Sequence, residues 1–183
     1  MPYLIGGGVI VLILLWGVGT YNSLVSGRVS VEEAFAGMDV FLKKRYDLIP
    51  NLVETVKGYA KHEKETLEAV INARAKAVVA TSIEDKIAAE QNLSGALGRL
   101  LALSEAYPDL KANTNFMDLQ DSLKVMEGEI AGVRTKYNSV VKSYNIKVES
   151  VPSNIIAMLF RFEKKPMFEI TNEVERENVK VQF

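Results

Sequence analysis

The first charged side chain in this sequence is Arg28. Twenty-seven uncharged residues at one end of a chain restrict the fold more than any other feature here. Within them runs Val9-Ile10-Val11-Leu12-Ile13-Leu14-Leu15-Trp16, with Tyr3 and Tyr21 on either side. At the helical rise of ~1.5 Å per residue the two tyrosines lie about 27 Å apart, close to the hydrocarbon thickness of a bilayer. Tyrosine and tryptophan favour the headgroup level, so Tyr3, Trp16 and Tyr21 suit that placement. A cleaved signal peptide would want a basic start and a small-residue cleavage site. Met1 to Gly8 holds no lysine or arginine, and no Ala-x-Ala follows. A buried core helix fits so long an uncharged end poorly. Residues 1–27 are therefore read as a membrane anchor retained in the mature protein.

Orientation follows from the flanking charges. Arg28 and then Lys43-Lys44-Arg45 stand on one side of the span, and the α-amino group alone on the other. The positive-inside rule predicts a single-pass protein with the larger part in the cytoplasm and a short N-terminus outside.

The rest of the chain reads as helical heptads. Phe116, Leu119, Leu123, Met126, Ile130, Val133, Tyr137, Val140 and Tyr144 alternate at spacings of three and four. That is a coiled-coil-like a/d seam over four heptads. Asn113 or Asn115 can cap its start, and Pro152 lies past its end. After the span, Ala34, Met38, Phe41, Leu48, Leu52, Val56 and Tyr59, then Leu67, Val70, Ala73 and Ala77, keep similar spacings. Pro50 should kink or break that helix, because it lacks an N–H and crowds the preceding turn. Ser82, followed by Glu84 and Asp85, looks like a helix start, and Tyr107-Pro108 like a stop. The expected fold is all-α: an N-terminal transmembrane helix, then an elongated antiparallel bundle. Its three long helices would run near 29–80, 83–106 and 113–150, with a short one near 153–161. The corresponding organisation is anchor 1–27, bundle 28–165 and C-terminal tail 166–183.

Two strips of small residues suggest close helix packing. Ser94, Gly95, Gly98 and Ala102 form one, since mid-helix glycine costs about 1 kcal/mol against alanine and wants a packing reason, with a ligand groove as the alternative. Gly19, Ser23 and Gly27 form the other, where two membrane helices could approach and the protein self-associate. The apolar run Ile155 to Phe162 either caps the open end of the bundle or lies on a membrane surface or a partner.

Chemistry is thin. Cysteine is absent and histidine occurs once, as His62. No phosphate-binding loop is present, and Gly6-Gly7-Gly8 lies within the span. His62-Glu63 begins like a zinc-protease motif, but Thr66 stands where the second ligand belongs. Neighbouring acids such as Glu32-Glu33 do not face each other on a helix and read as solvated charge. Lysine plus arginine is 22 against 23 acids, which gives no electrostatic case for nucleic acid. No catalytic, cofactor-binding or metal-ligating residue is nominated, and no cofactor. The freed carbonyls at a Pro50 kink could be satisfied by Arg45 or Asn51, or Arg45 and Tyr46 could belong to a docking surface. Tyr137-Asn138 and Tyr144-Asn145 share one face: the tyrosines suit the core with hydroxyls at its edge, and the asparagines could bond across helices or to a partner.

Several of these residues also carry a family resemblance. The run from Lys44 to Ala60 (KRYDLIPNLVETVKGYA) resembles the signature of the bacterial LemA family. Asn92 to Leu100, Glu105 to Asn113, the two Tyr-Asn pairs and Pro152 to Ala157 are similar in order and spacing. The resemblance implies an N-terminal anchor and an elongated antiparallel bundle, with a membrane-organising theme suggested by a related magnetosome protein. It implies no catalytic residues. The function expected is a membrane-anchored scaffold or adaptor without enzymatic activity, organising protein partners at the bacterial cell (inner) membrane. Its partners would be the lipid bilayer, unidentified proteins and further copies of itself. A sensor or signalling bundle is the alternative, and an enzyme with an unrecognised site the third.

Overall fold

The computed structural model describes residues 2–168, with side chains from Gly6 onward. All regular secondary structure among them is helical: α1 Pro2–Tyr59, α2 Lys64–Val79, α3 Ile83–Ala106, α4 Pro108–Lys111, α5 Thr114–Glu149 and α6 Ser153–Leu159. This agrees with the all-α expectation. Of the tail expected at 166–183, residues 169–183 lie outside the described residues.

Local chemistry sets most boundaries. The Asp85 N–H donates to Ser82 Oγ at 3.0 Å, and the Phe116 N–H to Asn113 Oδ1 at 2.9 Å, so Ser82 and Asn113 cap α3 and α5. Pro108 ends one helix and opens the four-residue α4, where its missing N–H costs nothing.

One boundary corrects the sequence reading. The helix expected over 29–80 is two helices, and the break is not at Pro50. α1 runs through that proline to Tyr59. Pro50 leaves the Tyr46 carbonyl without its helical donor, and Arg74 Nε on α2 donates to that carbonyl at 2.8 Å. The chain turns instead at 60–63. From Lys61 to Thr66 no large apolar residue is available for burial, so nothing holds a straight helix there. α2 then packs on α3, burying Leu67, Val70, Ala73 and Ala77.

The chain forms two compact units. One comprises 2–38 with 133–167. In it α1 and α5 run antiparallel, with Phe35 edge-on to Tyr137 and Lys147 Nζ donating to Ser23 Oγ at 3.0 Å. A Cβ on Gly27 would stand 3.0 Å from Tyr144 Cδ2, so glycine admits that ring. Ser23 and Gly27 thus face α5 of their own chain. A Cβ on Gly19 would meet nothing within 4 Å among the described residues, and Gly19 and Ser23 both border an open groove. Leu24, Ala157 and Phe162 form a small core with Val25, Val148 and Ile156 against it. After α6 the chain lies along α5. The Tyr137 hydroxyl donates to the Pro166 carbonyl at 2.8 Å, and Asn145 both donates to the Lys165 carbonyl (2.8 Å) and accepts from its N–H (2.9 Å).

α6 ends in a Schellman turn: the Phe162 N–H reaches the Ala157 carbonyl (2.9 Å) and the Arg161 N–H the Met158 carbonyl (3.3 Å). The left-handed position, usually glycine, is Arg161 at φ 56°. Placing a Cβ there costs about 1 kcal/mol.

Of the described residues, the second unit comprises 39–132 and Phe168. Its core is built from Leu42, Ile49, Leu52 and Val56 of α1, Leu93, Leu97 and Leu100 of α3, and Phe116, Leu123 and Ile130 of α5. The α5 seam is graded along its length. Phe116, Leu123, Ile130, Tyr137 and Tyr144, seven residues apart, are at most 3% exposed, whereas Leu119, Met126, Val133 and Val140 are half-buried.

The Ser94–Ala102 strip does not mark a close approach. Gly95 and Gly98 are exposed on the side of α3 away from Leu93, Ala96, Leu97 and Leu100. A Cβ on either meets nothing within 4 Å among the described residues. Gly95→Ala with Gly98→Ala should therefore stabilise the protein by about 0.8–1 kcal/mol per site, the helix-propensity difference. Denaturant titration should show a higher midpoint at unchanged slope.

Candidate functional site

α1 carries its own seven-residue series: Leu24, Val31, Met38, Arg45 and Leu52, each 0% exposed. Four of the five are apolar, and the fourth in order is an arginine. Around Arg45 the second unit builds a polar cluster. Its guanidinium pairs with Glu90 on α3, also 0% exposed, and with Glu127 on α5, and it donates to Ser94 Oγ at 3.2 Å. The Tyr46 hydroxyl donates to the other Glu90 oxygen. Beside them the nearly buried Lys86 donates to the Ala77 carbonyl at 3.0 Å, pairs with Asp39 at 3.2 Å and sits 5.6 Å over the Tyr46 ring.

Each charge in this cluster has an opposite partner, as removal from water requires. Glu127 keeps 44% of its side chain in solvent, so the cluster reaches the surface at that carboxylate. The Glu90 oxygens are taken up by a guanidinium and a phenol. The arrangement is suited to fixing which faces of α1, α3 and α5 meet, the use of buried polar groups at heptad positions that is best attested.

Burial raises the Tyr46 phenol well above its ordinary range, and its hydrogen bond to Glu90 and that carboxylate's charge add to the rise. A raised folded-state pKa means the folded form holds its proton where the unfolded form has lost it. Stability from Tyr46 is full below about pH 10 and falls as pH climbs beyond that. Tyr46→Phe should flatten the alkaline limb of a stability-against-pH curve while lowering stability at neutral pH, since Glu90 loses a donor. Urea midpoints from pH 7 to 11 would show both effects.

The neighbours of Arg45 and Tyr46 point outward. Lys44, Asp47 and Leu48 on α1, with Asp121, Ser122, Val125 and Met126 on α5, line an open groove of about 610 Å³. Val125 is 65% exposed within it. The one segment thus supplies a buried pin and an outer groove with an apolar floor and charges of both signs. In the first unit a smaller groove, about 360 Å³, lies among Trp16, Gly19, Thr20, Ser23, Lys147 and their neighbours.

The residues weighed in the sequence fall as follows. Arg45 reaches across to other helices, and the carbonyl freed by Pro50 is taken by Arg74. Asn51 is exposed. Tyr137 and Tyr144 are core residues, and Asn145 clamps the segment after α6. His62 is exposed, in the turn between α1 and α2 and not on a helix, and Glu32 and Glu33 are exposed. Among the described residues no three His, Asp or Glu side chains gather as a metal site. Sequence reasoning misses Glu90 and Glu127. The available signal is Arg45 itself, seven residues from both Met38 and Leu52.

The apolar start of α1 is long enough to cross a bilayer. Val9 to Leu15 are each more than half exposed, so this stretch is not a core helix of the described fold.

Comparison with known proteins places these features in context. The LemA family matches residues 34–183. Protein LemA of Metamycoplasma hominis is 24% identical over 163 residues, covering 88% of this chain and 74% of that protein. Magnetosome protein MamQ 2 of Paramagnetospirillum magneticum is 23% identical over 175 residues, covering 81% of this chain. Magnetosome protein MamQ of Magnetospirillum gryphiswaldense is 23% identical over 174 residues, with the same share of this chain. The chain spans 64% of the length of each of these two magnetosome proteins.

Proposed function

This chain belongs to the LemA family, and we propose that it is a single-pass membrane protein whose helical body serves as a docking scaffold for protein partners, without a reaction of its own. The observation that carries this reading is α1. One unbroken helix provides both the exposed apolar stretch at Val9–Leu15 and the residues Val31 and Met38 that are buried in the body. The apolar stretch and the buried positions Val31 and Met38 belong to the same compact unit, 2–38 with 133–167. The groove between Lys44 and Val125 offers a partner an apolar floor with a cation and carboxylates at the rim. The basic residues after the span favour a cytoplasmic body at the inner membrane. Relatives named as magnetosome proteins favour a membrane-organising role.

A photo-crosslinking residue at Val125 in native membranes tests the reading. The expected result is a discrete crosslinked protein, lost when Asp121→Lys reverses the rim charge. Crosslinks to lipid alone, or a purified protein that turns over a substrate, would overturn it. The continuity of α1 also supports the second reading, a sensor whose span moves the body. Cysteine pairs between α1 and α5 would then crosslink in two registers.

A further inference from the structure

The apolar run at 155–162 splits into two faces. Ile156, Ala157 and Phe162 turn inward to Leu24, Val25 and Val148. The other face is open: Met158 is 80% exposed, Leu159 71%, Ile155 60%, and Phe160, with one edge on Tyr21, 53%. Four large apolar side chains on a seven-residue helix and its end are an unusual surface for water to cover.

The position of α6 along α1 identifies what covers them. A Cβ on Gly17 would meet Ile156 Cδ1 at 3.8 Å, and the Tyr21 ring lies edge-on to Phe160 at 4.8 Å and Phe162 at 5.6 Å. Tyr21 is the aromatic residue at the headgroup end of the span. Gly17 is one turn deeper, about 6 Å at the helical rise. α6 is thus fixed at the level where amphipathic helices rest, some 5–10 Å into the boundary between headgroups and chains. Cations surround it. Arg161 is exposed at the left-handed position of the closing turn, Lys147 borders the groove beside Trp16, and Arg28 lies 5.5 Å over the Phe162 ring. Of the acids here, Glu149 is paired with Lys164 at 2.8 Å, and Glu163 is exposed.

We propose that α6 and its closing turn form an interfacial foot: Ile155, Met158, Leu159 and Phe160 lie in the bilayer surface beside the span, and Arg161 engages the phosphate of an anionic lipid. The inference rests on the membrane-anchor reading. A glycine at Arg161's position would close the turn without strain; an arginine there supplies a cation at the end of the apolar face. The foot gives the body a second attachment to lipid, which fixes rotation about α1.

The chain has no cysteine, so single-cysteine variants report cleanly. Met158→Cys, Leu159→Cys, Ser139→Cys and Leu14→Cys, each carrying an environment-sensitive fluorophore, are reconstituted as full-length protein. The vesicles are phosphatidylcholine with phosphatidylglycerol, spin-labelled either near the headgroup or at the chain end. Positions 158 and 159 should be blue-shifted and quenched by the shallow spin label, and 139 by neither. Arg161→Gly should lower the docked-to-free ratio about fivefold in anionic vesicles and leave it unchanged in neutral ones, the expected effect of one basic residue at the surface. Labels at 158 and 159 that behave like 139 overturn the proposal. So does a disulfide between two unlabelled copies of the Met158→Cys variant in place of quenching, which assigns the face to a second copy. The Leu14→Cys label separates this failure from that of the anchor: if the deep spin label does not quench it, the span itself is wrong.

Discussion

Arg45→Ala should destabilise the protein by about 3–5 kcal/mol, the cost of stripping one partner from a buried ion pair. Against total stabilities of about 5–15 kcal/mol this is a large share. Arg45 and Glu90 are both 0% exposed, so removing the guanidinium takes a directly paired cation from a carboxylate that stays out of water. Glu127 is different. With 44% of its side chain in solvent it can turn outward, so Glu127→Ala should cost about 1 kcal/mol or less. Removing both buried charges, as Arg45→Met with Glu90→Leu, should recover much of the loss, because an apolar pair avoids the desolvation that the ions suffer. Urea titrations of the detergent-solubilised protein give the order. Equal midpoint shifts for Arg45→Ala and Glu127→Ala would mean that the cluster is not what holds α1, α3 and α5 in register.

The same cluster shows where the sequence stops being readable. Apolar periodicity works because burial and spacing are both one-dimensional facts, and the α5 series from Phe116 to Tyr144 is visible for that reason. A charge at a heptad position looks like a solvated interruption until its partners are known, and those of Arg45 lie 45 and 82 residues away. Pro50 misleads in the opposite direction. Its local penalty is real, yet Arg74 repairs the Tyr46 carbonyl from another helix, and the chain breaks later, where Lys61–Thr66 offers nothing to bury. Small residues are ambiguous in the same way. Gly27 admits a tyrosine while Gly95 and Gly98 face open space, and spacing alone does not distinguish a groove that is filled from one that is not. The span is the most legible part, since twenty-seven residues without charge need no partner to be interpreted. For α6 the sequence leaves two readings open. The structure turns Ile156, Ala157 and Phe162 inward and leaves Ile155, Met158 and Leu159 bare.

The seam allows a graded test of how depth controls cost. Ile130 is 0% exposed, Met126 is half-buried one turn away, and Val125 is 65% exposed. Ile130→Asp loses about 1.5–3 kcal/mol of side-chain burial and also places an unpaired carboxyl in the core. The sum exceeds about 4–5 kcal/mol, in the exceptional range for one substitution and comparable to the stability of many domains. At neutral pH this variant should lose its cooperative thermal transition and its resistance to protease. Acid should restore part of both. Burial raises the pKa of the new carboxyl above its unfolded value, so the penalty is absent when both states are protonated and grows as pH rises through the unfolded pKa towards the folded one. Met126→Asp should fall between, because its carboxylate can reach the groove. Val125→Asp should stay within about 0.5 kcal/mol of the parent. An Ile130→Asp protein that melts like the parent would place that residue in water and dismantle the seam. A costly Val125→Asp would mean instead that the groove is already filled by a part of the assembly on which stability depends.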